Sequence, residues 1–387
     1  MPLLNSAVAA QPEIAVWRRT LHQTPELMYD TFKTAAFVDA KLREFGCDEV
    51  VTGIGRTGVV GLIKGRGDGP TIGLRADMDA LPIAEATSVP YKSKVPGSMH
   101  ACGHDGHTAM LLGAARHLCE TRNFNGRVAV IFQPAEEGGG GGKAMLDDGM
   151  IERFSIERFY GLHNAPGLPV GTFATRRGSL LAAMDVFSIT VTGRGGHAAA
   201  PHLTVDPVFV GAQIVSALQG IAARNANPLD SVVLSVTQFH AGDAFNVIPQ
   251  TATIAGTIRS LKQELRDLAV DNLKRTVEGI AAALGASATI SDCGILPYPV
   301  THNHTRETDV IAGVAAEVSG TANVNDDCPP DMASEDFAFM LQRKPGAMIL
   351  MGNGNTAALH NPYYDFSDEA IPYGVSFWVR LVETELR

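Results

Sequence analysis

Short runs of almost unbroken apolar residues recur along this chain, and several of them run out into segments rich in glycine, glutamate or histidine. Arg127 to Phe132 carries Val-Ala-Val-Ile-Phe, then Gln133-Pro134-Ala135-Glu136-Glu137 and five glycines, Gly138 to Gly142. Arg158 to Leu162 leads to His163, and Ala347 to Met351 opens onto a glycine-rich turn before His360. Strands apolar on both faces belong inside a covered sheet. Val59 to Lys64 and Thr71 to Ala76 add two more, parted by the turn-rich Gly65 to Pro70. Helices alternate with them. Gln11 to Phe45 reads as one or two, and Thr108 to Arg122 aligns Met110, Leu111, Ala114, Ala115 and Leu118 in one stripe. This alternation predicts an α/β fold with a mostly parallel sheet, whose ligands bind beyond the carboxyl ends of the strands.

The pattern changes near Met184. Asp185 to Thr192 alternates like a one-sided strand, a helix follows over about Val205 to Arg224, and strands follow over Ser231 to Phe239 and Thr251 to Arg259. A charged helix from Leu261 and a strand over Ala286 to Ser291 complete a β-α-β-β-α-β order, that of a ferredoxin-like α+β domain. Metal-type residues lie on both sides of it, so it reads as an insert at 184–295 within a discontinuous catalytic domain of 1–183 and 296–387. A chain of 387 residues suits two domains.

The formal net charge of −10 argues against nucleic acid or an anionic membrane as partner. The five cysteines, Cys47, Cys102, Cys119, Cys293 and Cys328, are odd in number and irregularly spaced, which fits a reducing cytoplasm better than a disulfide framework. Neither a signal peptide nor a membrane span is expected.

The densest chemistry lies in His100-Ala101-Cys102-Gly103-His104-Asp105-Gly106-His107. Thiolate and imidazole suit borderline-soft divalent metals. Cys102 and His104, two apart, reach one cluster only from a turn or extended loop. His107 opens the next helix in a supporting role, and Asp105 is positioned to orient a histidine through its ring N–H. Glu136 and Glu137 point to opposite sides of an extended segment, so one can ligate while the other faces substrate. His163 and His360 follow strands on the same sheet edge. His197 sits on a glycine-rich turn of the insert, and Arg259 is a candidate fork for a substrate carboxylate.

Several ordered motifs then carry a family resemblance. They are Arg75-Ala76-Asp77-Met78-Asp79-Ala80-Leu81-Pro82, Met99 to Asp105, Gln133 to Glu137, Gly161-Leu162-His163, Gly195-Gly196-His197-Ala198, Ser334-Glu335-Asp336-Phe337 and Leu359-His360-Asn361-Pro362. The chain resembles the amidohydrolase branch of the dinuclear-metal aminoacylase and carboxypeptidase superfamily, which includes hippurate hydrolases, indole-3-acetyl-amino-acid hydrolases and N-acyl-amino-acid deacetylases. The resemblance implies that Cys102, His104, Glu137, His163 and His360 hold two divalent metals (zinc or manganese, with cobalt or nickel as alternatives). It implies Glu136 as general base and His197 as the group that polarises the scissile carbonyl. Asn246 and Arg259 would bind the substrate carboxylate, with Asp77 and Asp105 behind the ligands. The insert would be a lid and a homodimerisation domain. Two rival readings are a metal-free thiol hydrolase using Cys102 and a non-catalytic metal- or peptide-binding relative.

Overall fold

The structure, a computed structural model, describes residues 3–387. It divides into two units. The first comprises the chain up to Leu180, His302–Pro329 and Asp336–Arg387; the second is Leu181–Thr301 with Pro330–Glu335.

In the first unit, eight strands form one sheet: β1 (Glu49–Ile54), β2 (Gly58–Lys64), β3 (Thr71–Asp77), β4 (Arg127–Gln133), β5 (Ile156–Ala165), β6 (Phe173–Ala174), β7 (Val324–Asn325) and β8 (Gly346–Gly352). Their spatial order is β1-β2-β4-β3-β5-β8-β6-β7. The inner four, β4-β3-β5-β8, run parallel, and these include the apolar runs. β1 and β2 extend one side antiparallel, and β6 lies antiparallel to β8. The predicted parallel sheet is therefore the centre of a mixed one. Every residue of β3 is buried, as are all of β4 but its first.

Helices α1 (Asn5–His22), α2 (Phe32–Phe45), α3 (His104–Thr121) and α4 (Ile371–Glu385) belong to this unit. α1, α3 and α4 pack on one another through Ile14, Met110, Leu111, Val375 and Trp378. Their approach is close: a Cβ added at Gly374 would lie 2.1 Å from the Met110 sulfur.

Two differences from expectation bear on the site. α3 starts at His104, four residues before the predicted Thr108, so His104, Asp105 and His107 all lie on a helix. β5 continues to Ala165, because its ladder with β8 runs on through Ala165 and Gly352. His163 thus sits within the strand, near its carboxyl end.

The second unit is a four-stranded antiparallel sheet in the order Val232–Ala241, Thr251–Ser260, Ala183–Thr192, Ser287–Ser291. Helices Pro207–Gly220 and Gln263–Ala283 pack on it over Phe187, Ile189, Val191, Ile214, Ile254 and Leu273. This is the predicted β-α-β-β-α-β connection with a ferredoxin-like strand order. Asp206 caps the first helix, accepting the Val208 N–H at 2.8 Å, with Pro207 as its first residue.

The division falls at Leu181 and Thr301 rather than at 184 and 295. Met184 and Tyr298 exchange two backbone hydrogen bonds of 2.9 Å, which zip the two chain crossings together. Pro330–Glu335 joins them: Ala182 N–H donates to the Ala333 carbonyl at 2.8 Å, and Arg259 Nη1 donates to the Met332 carbonyl at 2.8 Å. No helix among the described residues is long and apolar enough to cross a membrane.

Candidate metal centre

Because β4, β3, β5 and β8 are parallel, the segments that follow them leave one edge of the sheet. β3 ends at Asp77, with Asp79 two residues on. Gly103, left-handed at φ +88°, turns the chain between Cys102 and His104, so thiol and imidazole reach one region from either side of a helix start. Past β4, Ala135 (φ +52°) breaks the extended path before Glu136 and Glu137. The glycine run then folds back so tightly that a Cβ at Gly141 would lie 1.7 Å from the Pro134 carbonyl oxygen. His360 is also left-handed (φ +62°), and its N–H donates to the Ala101 carbonyl at 2.8 Å, tying its loop to that of Cys102. Such a backbone is uncommon for a histidine and is stored where the surroundings fix it.

The five expected ligands come together. Cys102 Sγ lies 3.5 Å from His163 Nε2. Glu137 Oε1 is 3.4 Å from His360 Nε2 and 4.0 Å from His104 Nε2. Donor atoms of Cys102, Glu137 and His360 lie within 4.8 Å of one another, as do those of His104, Glu136 and Glu137. His104 Nδ1 bonds the Asp79 carbonyl at 2.9 Å and His163 Nδ1 the Asn164 carbonyl at 2.7 Å. Each ring therefore turns Nε2 into the cluster. His104 Nε2 and Glu137 Oε1 are buried with no hydrogen-bond partner. Buried polar atoms are seldom left so, and a divalent cation is the group that thiolate, imidazole and carboxylate together would satisfy.

His107 is excluded from that set. Its Nδ1 bonds Asp77 Oδ1 at 2.6 Å, and its Nε2 accepts the Asn164 N–H at 2.9 Å. Both ring nitrogens are spent on support. Burial would raise the Asp77 carboxyl, but the charges of His104, Arg75 and His107 hold it well below its ordinary value. His104 goes the other way: burial opposes its charge, yet Asp77, Asp79 and Glu137 push it up to about 10.

The sequence pattern of Peptidase family M20/M25/M40 matches residues 73–384. The chain belongs to that family. It is 42% identical over 381 residues to a hippurate hydrolase of Campylobacter jejuni, covering 98% of each chain. It is 38% identical to an N-acetylcysteine deacetylase of Bacillus subtilis, covering 94% of each. A solved dinuclear metal binding peptidase of the M20 family from Bacillus subtilis, 34% identical, superposes with a TM-score of 0.84 over 98% of this chain and 99% of that one.

In this family member three further candidates, His197, Asn246 and Arg259, lie in the second unit. His197 is exposed on the short strand Gly196–His197, which pairs with Val247–Ile248. Its Nδ1 accepts the Ala199 N–H at 3.0 Å, which leaves the ring proton on Nε2. Exposed Asn246 adjoins it through the Ala198 N–H to Asn246 carbonyl bond of 3.0 Å. Arg259 is half-buried and anchored on Met332.

Asp105 does not stand behind a ligand. It follows His104 on α3, and one helical step turns it about 100° away. There it meets His22 Nδ1 at 2.8 Å, with Arg18 Nη1 at 3.7 Å. The carboxylate expected to orient a ligand is instead half of a buried ion pair between α1 and α3. Sequence reasoning missed Asp79, whose Oδ1 and Oδ2 accept the N–H groups of Glu136 (3.0 Å) and Glu137 (3.1 Å). The Asp-x-Asp spacing just past a buried strand was its available signal. It also missed buried Arg75, which reaches Gln133, Asp77 and Asp336 at 2.9, 2.8 and 3.1 Å.

Burial alone would depress His22, but the hydrogen bond and charge of Asp105, with Glu85 beyond, raise it to about 9 from an ordinary 6.5. A raised histidine contributes stability that is complete below pH 6.5 and is lost as pH climbs through 9. Asp105→Asn should therefore cost about 3 kcal/mol near pH 6.5, the scale of breaking a buried pair. Urea unfolding should show that gap narrowing above pH 9. A gap independent of pH would rule out the His22 pairing as its source.

Proposed function

We propose that this chain is a metal-dependent amidohydrolase that cleaves the amide bond of N-acyl or N-aroyl amino acids, releasing a carboxylic acid and a free amino acid. The observation that carries this reading is Glu136, a carboxylate only 7% exposed, held at its backbone by Asp79 beside five converging donors. The likeness to the Campylobacter jejuni hippurate hydrolase supports an aroyl-amino-acid substrate.

In this reading Cys102, His104, Glu137, His163 and His360 hold two divalent cations, zinc or manganese first, cobalt or nickel next. Bound there, they would supply Lewis acidity and lower the pKa of a water held at the site. Glu136 takes a proton from the attacking water and passes one to the leaving nitrogen. His197, with its proton on Nε2, donates to the carbonyl oxygen as negative charge develops. Asn246 and Arg259 hold the substrate carboxylate.

The thiol-hydrolase alternative conflicts with the electrostatics. Burial, then Glu137, Glu136 and Asp77, drives the Cys102 thiol well above its ordinary value. A nucleophilic cysteine needs the opposite environment. The same carboxylates favour a cation.

The second unit supports a homodimer. Val232–Ala241 is an edge strand with Val233 and Phe239 exposed, and Val208 and Phe209 are exposed on the helix Pro207–Gly220. The opposite edge, Ser287–Ser291, offers mostly small polar residues and invites no such pairing. A lid role for this unit and a cytoplasmic location, in keeping with five free cysteines, complete the reading.

Four measurements test it. Glu136→Gln should lower kcat on hippurate by roughly 10²–10⁴-fold with bound metal unchanged, since it removes only the proton carrier. Loss of metal along with activity would reassign Glu136, and activity surviving exhaustive chelation would remove the metal from the mechanism. Cys102 and His104 both hold protons at neutral pH without metal, so zinc uptake should release about two, read by titration calorimetry in buffers of different ionisation enthalpy. Uptake without proton release would exclude these two as ligands. Phe239→Lys should shift the sedimenting species from dimer to monomer; an unchanged dimer would place the interface elsewhere.

A further inference from the structure

Away from the cluster, Cys47 and Cys119 bring their Sγ atoms within 3.6 Å although 72 residues apart in sequence. Both are free thiols. Each sits on a fixed piece of backbone. α2 closes at left-handed Gly46 (φ +81°), with Gly46 N–H on the Arg43 carbonyl and Cys47 N–H on the Leu42 carbonyl, both at 3.1 Å. This paired closure defines a glycine-terminated helix end and sets the position of Cys47. Cys119 lies in the last turn of α3, just before Arg122.

Arg122 spans the same gap. Its Nη2 donates to the Gly46 carbonyl at 3.0 Å, and its Nη1 to Asp48 Oδ2 at 2.6 Å and the Lys64 carbonyl at 2.8 Å. The residues on either side of Cys47 are thus bound to the helix end that carries Cys119. Two facing thiols could take a soft cation or an oxidant. Neither cysteine belongs to a group of three or more potential ligands among the described residues, and the Arg122 cation lies beside them. The surroundings fit oxidation.

We propose that Cys47 and Cys119 form a thiol–disulfide modification site that a small hydroperoxide closes. A disulfide places its sulfurs about 2.05 Å apart, so about 1.5 Å remains to be closed. The hydrogen bond from Cys47, then Arg122, lowers the Cys119 thiol against the effect of burial, and in the proposed step Cys119 is the attacking sulfur. Its thiolate attacks one oxygen of hydrogen peroxide and the O–O bond breaks. The departing hydroxide takes up the thiol proton as water, leaving Cys119 as a sulfenic acid. Cys47 Sγ then attacks Cys119 Sγ, the S–O bond breaks, and hydroxide leaves with the Cys47 proton as a second water. The two thiols lose two electrons and one peroxide gains them. The product ties the end of α2 to the far end of α3, the helix whose first residue is His104.

The full chain loaded with zinc, which is redox-inert, is treated with hydrogen peroxide and digested with trypsin without reduction. Glu44–Arg56 should be found joined to His117–Arg122, two hydrogens lighter than the free peptides together. The treated protein should melt roughly 5 °C higher, and dithiothreitol should reverse the rise. Cys47→Ser, melting like the reduced parent before treatment, should show neither change. Cysteines that stay alkylatable after peroxide, a cross-link to another cysteine, or a dithiothreitol-insensitive Tm would each overturn the proposal.

Discussion

The centre depends on one carboxylate that need not touch metal. Asp79 holds the Glu136 and Glu137 N–H groups on its two oxygens, while its backbone carbonyl takes His104 Nδ1. Three segments from distant parts of the sequence meet there: the end of β3, the loop after β4 and the first turn of α3. A buried carboxylate is costly unless its oxygens are bonded. That cost makes the arrangement all-or-none, since a shift of the glutamate loop strands Asp79 and a shift of α3 frees His104. The two glutamates are thereby fixed at their backbones on the two oxygens of one carboxylate.

Strain and support are distributed accordingly. Non-glycine residues in left-handed backbone occur beside the candidate ligands at Ala135 and at His360 itself. Each is tied by a backbone bond, Ala135 to Met28 at 3.1 Å and His360 to Ala101 at 2.8 Å. Behind them, Arg75 bridges Gln133, Asp77 and Asp336, and Asp336 in turn receives the Gly142 N–H at 2.8 Å. The glycine run is bonded at its far end into the network that orients Asp77. Its close turns are structural, because Gly141 has no room for a side chain against Pro134.

What could be read from the sequence follows from where its signals are local. The apolar runs of β4, β5 and β8 identify central strands because burial on both faces leaves no polar alternation. Glu137, His163 and His360 stand out because metal-type residues in or beyond such strands have few competing uses, and Cys102 because its polar, glycine-rich neighbours make a poor core segment. Partner choice is not local. Asp105 adjoins His104, yet helical rotation sends it to His22, and neither the start of α3 nor the packing of α1 on it is written in that stretch. The antiparallel direction of β2 and the return of Pro330–Glu335 to the second unit are likewise set by pairings over long sequence distances. Asp79 was visible as a residue and invisible as a clamp, because the N–H groups it holds lie 57 and 58 residues on.

Two of the buried charge clusters of the first unit differ in a way that bears on function. Around Arg18, His22, Asp105 and Asp368, opposite charges meet at hydrogen-bond distance, 2.8 Å for both His22–Asp105 and Arg18–Asp368. That group is largely neutralised from within the chain. Around Cys102, His104 and Glu137 the candidate ligand atoms stand 3.4–4.0 Å apart, although both clusters keep buried atoms without a hydrogen-bond partner, His22 Nε2 and Asp105 Oδ1 in the first and His104 Nε2 and Glu137 Oε1 in the second. The difference lies in the donor set: the first cluster pairs cations with anions of the chain, whereas the second gathers a thiol, imidazoles and a carboxylate, with Glu136 beside them. A thiol, imidazoles and a carboxylate whose atoms lie within reach of one common centre are what a binding site for cations requires, and a bound cation would partner His104 Nε2 and Glu137 Oε1.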